Sequence, residues 1–224
     1  MIEKMRFGIP MPEFRTEYGT LRTRELEKIA VFLYKRGVLI ADCFERKIII
    51  VHPSLVKNIQ KEMVNMGFQS ILIGSTLSNL RKSENLNLVQ NRVLEALTPG
   101  ALIINRSDEN NSELISVAVP DNVDLRNICS LYEGTIQAFI TNSVIEENEL
   151  AKLLGNVELN GLDLNNIGIL EYPYFDEDST NKIATVAYVY GPNNIKVVKT
   201  GVYNLDILKQ ASVKVSQYEI GEWT

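Results

Sequence analysis

A glycine–proline–glycine spacing recurs along the chain and constrains its fold more than any other feature. Gly37 is followed by Pro53 and Gly67, and Gly100 by Pro120 and Gly134, the proline preceding the second glycine by 14 positions each time. Glycine stops helices, and proline is tolerated at a helix start because its missing N–H has no partner there. Each proline-to-glycine interval therefore reads as one helix of fixed length. Each glycine-to-proline interval holds two apolar runs around a charged turn, the signature of a β-hairpin.

The first half fills this frame in order. Leu26, Ile29, Ala30 and Leu33 fall on one helical face, closed by Gly37. Val38–Cys43 and Ile48–Val51 flank the turn Glu45-Arg46-Lys47 as a hairpin. Leu55, Ile59, Met63 and Met66 line the helix begun by Pro53, and Phe68–Ile73 follows Gly67 as a strand. In the second half a helix carrying Leu86, Val89, Val93 and Leu97 ends at Pro99-Gly100. Ala101–Ile104 and Leu114–Val119 form a hairpin around Asp108-Glu109-Asn110-Asn111. A helix over Asp121–Glu133 and a strand over Thr135–Ile140 complete it. The order helix, strand, strand, helix, strand is thus used twice, over 20–75 and 76–145, within an α+β domain spanning 20–155.

The ends differ from this middle. Residues 1–19 read as an extended arm, in which Phe7, Ile9 and Met11 alternate and Pro10 and Pro12 exclude a helix. After a short helix over Glu146–Leu154, residues 156–224 turn to β. Strands are expected at Ile167–Tyr172, Ile183–Tyr190, Ile195–Tyr203 and Val213–Ile220. Tyr188 and Tyr190 share one face of such a strand.

Composition narrows the partners. The net charge of -5 hides a basic first hundred residues and an acidic remainder, since 15 of the 23 Lys+Arg but only 10 of the 28 Asp+Glu lie in residues 1–100. Two cysteines, Cys43 and Cys129, are too few for a disulfide framework and fit a reducing compartment. No apolar run is long enough to cross a bilayer, and the first residues lack the apolar core of a signal peptide. A soluble, cytoplasmic chain is expected, or a virion component if virus-encoded. Nucleic acid is an unlikely partner on this charge balance.

Few residues offer chemistry. His52 is the single histidine, at a strand end before Pro53, and reads as a structural residue. Phosphate-binding glycine motifs are missing, and so is any sign of a cofactor. Gly74-Ser75-Thr76 between a strand and a helix offers a weak anion site, or a plain helix cap. Asp176 and Asp178 could chelate a cation but fit an exposed hairpin tip better. The element order resembles the core of the restriction-endonuclease-like fold. That resemblance implies a metal-dependent nuclease with Asp42 and Glu45 as metal-binding carboxylates and Lys47 to activate water. Glu45 sits in the turn rather than on a strand, so the pattern is incomplete.

By elimination the sequence favours a non-enzymatic assembly subunit, a ring, shell or tail component of a virus-like particle. It would associate with itself or other protein subunits through Phe7, Ile9, Met11, Tyr188 and Tyr190. A nuclease or a soluble protein-binding module are the alternatives.

Overall fold

Alternation of apolar side chains divides the first hairpin between two faces of a sheet. In β1 (Val38–Cys43), Leu39, Ala41 and Cys43 face one core while Val38 and Ile40 face another. In β2 (Arg46–Ile50), Ile48 and Ile50 join the first core and Ile49 the second. Both faces are apolar because helices cover both, so these strands read as continuous hydrophobic runs. The computed structural model describes residues 23–44, 46–83, 86, 102–105, 115–120, 122–141, 144–170, 186–191 and 194–199.

The remaining strands are β3 (Phe68–Gly74), β4 (Leu102–Asn105), β5 (Ser116–Ala118), β6 (Thr135–Thr141), β7 (Ile167–Leu170), β8 (Val186–Gly191) and β9 (Asn194–Lys199). They form one mixed sheet in the order β7-β1-β2-β6-β3-β5-β4-β8-β9. With the helices this is an α+β architecture, as expected. The long antiparallel ladder between β3 and β6 holds the centre, running from Phe68↔Thr141 to Gly74↔Thr135. Each half contributes one of the two strands. Strands after residue 156 join both sides: β7 pairs parallel with β1, and β8 pairs parallel with β4.

Helices α1 (Thr23–Tyr34) and α4 (Val123–Ser130) cover one face through Ile29, Leu33, Leu125, Ile128 and Cys129. Helices α2 (Pro53–Asn65) and α5 (Glu147–Gly155) cover the other through Val56, Ile59, Met63, Leu150 and Leu154. A further short helix, α3 (Leu77–Arg81), follows β3, starting where the sequence places a helix cap at Gly74-Ser75-Thr76. The expected helix through Val89, Val93 and Leu97 lies outside the described residues, as do the N-terminal arm and the strand at Val213–Ile220.

The two halves share a hairpin, a crossing helix and a following strand, yet they use them differently. β2 and β3 both run antiparallel to β6, so α2 makes a parallel crossover. β5 runs parallel to β3 and therefore antiparallel to β6, the strand that α4 leads into. The helices α2 and α4 consequently lie on opposite faces.

Helix ends depart from the sequence reading in two instructive ways. Gly67 ends α2 in the left-handed region at φ +88°, whereas α4 stops at Ser130, with Glu133 (φ +58°) and Gly134 (φ +88°) both left-handed in the turn beyond it. At the end of α1, however, Arg36 takes that conformation (φ +68°), and Gly37 comes one residue later. Gly37 is required for a different reason: a Cβ there would stand 2.5 Å from the Phe32 ring.

The two left-handed glycines predict unequal costs. Gly67→Ala meets nothing within 4 Å, so its penalty is backbone strain alone, about 1 kcal/mol. A Cβ at Gly134 also collides with the Asn79 side chain, which is held by Ser75. Urea denaturation should therefore show Gly134→Ala to be the more destabilised of the two. Equal midpoints would remove Asn79 as the cause.

Candidate functional site

A hairpin register determines the most polar part of the described structure. In the β1–β2 pair, Asp42 stands directly opposite Lys47, and Cys43 opposite Arg46. Directly paired side chains on one face lie close enough to interact. The Lys47 ammonium accordingly sits 2.6 Å from Asp42 Oδ1. Next to it, the buried Arg46 guanidinium donates from Nη1 to the Thr141 carbonyl at 3.1 Å. The Lys47 backbone N–H donates to the Thr141 hydroxyl at 3.3 Å. The tip of the hairpin is thereby fastened to the last residue of β6.

Asn122 completes this cluster from the opposite strand system. Its side-chain oxygen caps α4, accepting from Asp124 N at 2.9 Å and Leu125 N at 3.2 Å. Its amide nitrogen reaches the Asp42 carbonyl at 3.5 Å, a weak contact at that length. Asp124 in the first turn of α4 is 1% exposed, and Glu25 of α1 only 4%. Glu25 Oε2 has no hydrogen-bond partner among the described residues. Charged side chains are seldom buried unless paired or functional. Glu25, Arg46, Asn122, Asp124 and Thr141 therefore mark the part of the fold where polarity outweighs packing.

A second polar group forms at the other end of the hairpin. His52 caps α2, its Nδ1 accepting from Ser54 N at 3.3 Å and lying 2.7 Å from Ser54 Oγ. The structural role read from the sequence is thus seen directly. The imidazole also meets two tyrosine rings edge to face, Tyr34 at 5.7 Å and Tyr132 at 6.0 Å. Burial pushes the Tyr132 hydroxyl above its ordinary pKa.

The residues singled out from sequence scatter across the fold. Asp42 and Lys47 come together as an ion pair, while Glu45 lies outside the described residues. Gly74-Ser75-Thr76 is taken up locally. Thr76 Oγ1 caps α3 by accepting from Asn79 N at 3.1 Å, and Ser75 Oγ accepts from Asn79 Nδ2 at 2.6 Å. A Cβ at Gly74 would stand 2.6 Å from Leu80 Cγ, so this glycine permits close helix packing. The side chains of Phe7, Ile9, Met11, Tyr188 and Tyr190 lie outside the described residues, as do Asp176 and Asp178. Asn122 was legible in principle as a cap residue between Pro120 and an apolar face. Glu25 shares the helical face of Ile29 and Leu33, so its burial follows the helix period, whereas that of Thr141 carries no local signal because only the sheet order brings it inward.

Neither cysteine is an available nucleophile. Both are buried, and desolvation pushes the Cys129 thiol up to about 12, outweighing a smaller lowering by a backbone hydrogen bond. The native protein should leave Ellman's reagent unreacted at pH 8, with both thiols reacting in urea. The raised pKa also weakens the fold in alkali. An unfolded Cys129 ionises near pH 9 while the folded one holds its proton, so stability falls from pH 9 towards 12. Unfolding midpoints at pH 8 and 10.5 should differ less in Cys129→Ala than in the wild type. The Asp42–Lys47 pair contributes little by comparison, because Asp42 is 42% exposed and screened. Asp42→Ala should lose about 0.2–1 kcal/mol, read from urea titration.

No protein-family model and no curated protein sequence matches the chain. Two solved structures are similar in fold. YciO of E. coli superposes with a TM-score of 0.52 and 16% identity, over 84% of this chain and 94% of that one. A double variant of P. abyssi Sua5 gives 0.51 and 11%, over 92% of this chain. The match takes in 63% of the Sua5 chain's own length. At these identities the likeness is one of fold. It nevertheless overturns the assembly reading. The fold is that of a bacterial and an archaeal protein, not of a ring, shell or tail component, and the virion expectation falls with it. Of the residues named for the nuclease alternative, the structure shows the Lys47 ammonium closed onto Asp42. Elimination misled because a scarcity of histidine and glycine motifs says little about ligands held by strands and helix ends. No helix among the described residues is long and apolar enough to cross a membrane.

Proposed function

We propose that this chain binds a nucleotide, free or within RNA, at the polar end of the β1–β2 hairpin. The observation that carries the reading is the likeness of fold over most of the chain to YciO and Sua5, whose nucleotide-binding and nucleotide-modifying class it extends to this protein. Local chemistry supports it. The hairpin lies in the basic part of the sequence and brings the Lys47 ammonium to its end beside Asp42, while the Arg46 guanidinium is buried against Thr141. An ammonium suits phosphate oxygens as a point charge. The Asp42 carboxylate that now holds Lys47 is half-exposed and can yield to a phosphate. The overall negative charge does not oppose this, because the acidic excess lies beyond residue 100. A reducing, cytoplasmic nucleotide pool agrees with two free, buried thiols.

Titration calorimetry with ATP and with a short single-stranded RNA tests the proposal. At least one should bind, and its affinity should fall with salt as released counterions require. Lys47→Gln should weaken binding about tenfold or more, the range of one charge-assisted hydrogen bond. Absence of binding to both ligands at millimolar concentration, or unchanged affinity in Lys47→Gln, would overturn it. Sedimentation of the same samples reports whether the liganded species is one chain or a self-associated form.

A further inference from the structure

We infer that the cleft around His52 is a second ligand site, built for a flat ring that carries a phosphate group. This cleft encloses about 340 Å³ and is lined by Tyr34, Arg36, His52, Ser54 and Leu55. Its volume falls at the lower end of small-molecule sites. It lies five residues along β2 from Lys47, about 16 Å at the rise of a strand, and on the far side of the hairpin from Asp42. A ligand in this cleft does not depend on one at the hairpin end.

Three features select the ligand. The first is an aromatic wall with an open side. Tyr34 is 75% exposed, yet its ring is held edge to face with His52 at an interplanar angle of 80°. The half-buried Tyr132 supports the same imidazole from behind at 83°. An exposed ring in a fixed orientation offers a face on which a planar ligand can stack, with Leu55 as the apolar floor.

The second feature is a single positive charge, with no carboxylate, among the described lining residues. Arg36 supplies it from the turn after α1, where its backbone is fixed at both ends. Its N–H donates to Leu33 O at 2.9 Å, and its carbonyl accepts from Asp163 N at 2.9 Å. The nearby Asp163 carboxylate is engaged by Asn165 N at 3.2 Å. The third feature is the Ser54 hydroxyl, which lies in the same lining 2.7 Å from His52 Nδ1 and can donate to a phosphate oxygen on giving up that contact. Ring, cation and hydroxyl together match a phosphate monoester on a flat ring, either a nucleoside monophosphate or an aryl phosphate.

Four probes distinguish the parts by calorimetry: AMP, phenyl phosphate, adenosine and inorganic phosphate. The inference expects AMP or phenyl phosphate to bind at least tenfold more tightly than both adenosine and phosphate. Tighter AMP identifies a nucleotide site, and tighter phenyl phosphate an aryl phosphate site. Arg36→Asn removes the charge while keeping a residue that tolerates the left-handed backbone. Tyr34→Ala removes an exposed ring that the core does not need. Each variant should retain the wild-type unfolding midpoint and weaken the ring phosphate about tenfold or more, while Lys152→Gln, at an exposed lysine of α5, leaves it unchanged. Overturning results are no preference for the ring phosphate, or undiminished binding in both cleft variants. Loss in Lys47→Gln alone would assign the ligand to the hairpin end and likewise reject the cleft.

Discussion

Everything described depends on the seven-pair ladder between β3 and β6. A β-sheet side chain alternates faces at every residue, so a slip of one position there would turn both cores inside out. The ladder prevents this because both faces are apolar and differently shaped. Ile71, Ile73, Ile136 and Ala138 fit beneath α1 and α4, whereas Phe68 and Phe139 fit beneath α2 and α5. Its polar pair, Gln137 and Ser70, adds a hydrogen bond of 2.6 Å across the two strands. With that register set, Thr141 can only arrive beside Arg46 and Lys47.

How much of this was legible follows from which forces are local. Proline and glycine act on their own backbone, so the hairpins, α2 and its end at Gly67 could be read residue by residue. Strand order is different. Nothing near Phe68 announces that its strand pairs with one from the other half, nor that α2 and α4 take opposite faces. The short α3 was legible at its cap, Thr76, but its end at Arg81 escaped because one buried leucine, Leu80, suffices to form it. Arg36 in place of a glycine escaped for a related reason, since the expected signal sat one residue away and served packing instead.

The two polar ends of the hairpin teach the same lesson about function. Chemistry was sought in motifs, and the motif-bearing residues proved to be caps and an ion pair. The features that point to ligands arise from tertiary neighbours: a guanidinium brought to a cleft, and an imidazole set between two rings from different helices' ends. Such arrangements leave no spacing rule in the sequence, which is why elimination pointed towards assembly instead.

The pairing of β1 with β7 joins residue 38 to residue 167. On the ribosome the first hairpin is complete more than a hundred residues before its outer neighbour emerges. Until then the backbone groups along β1 are an open strand edge, able to pair with any passing chain. A topology so dominated by distant partners also folds slowly. Until β7 arrives, only the pairing with β2 covers β1, on its other side.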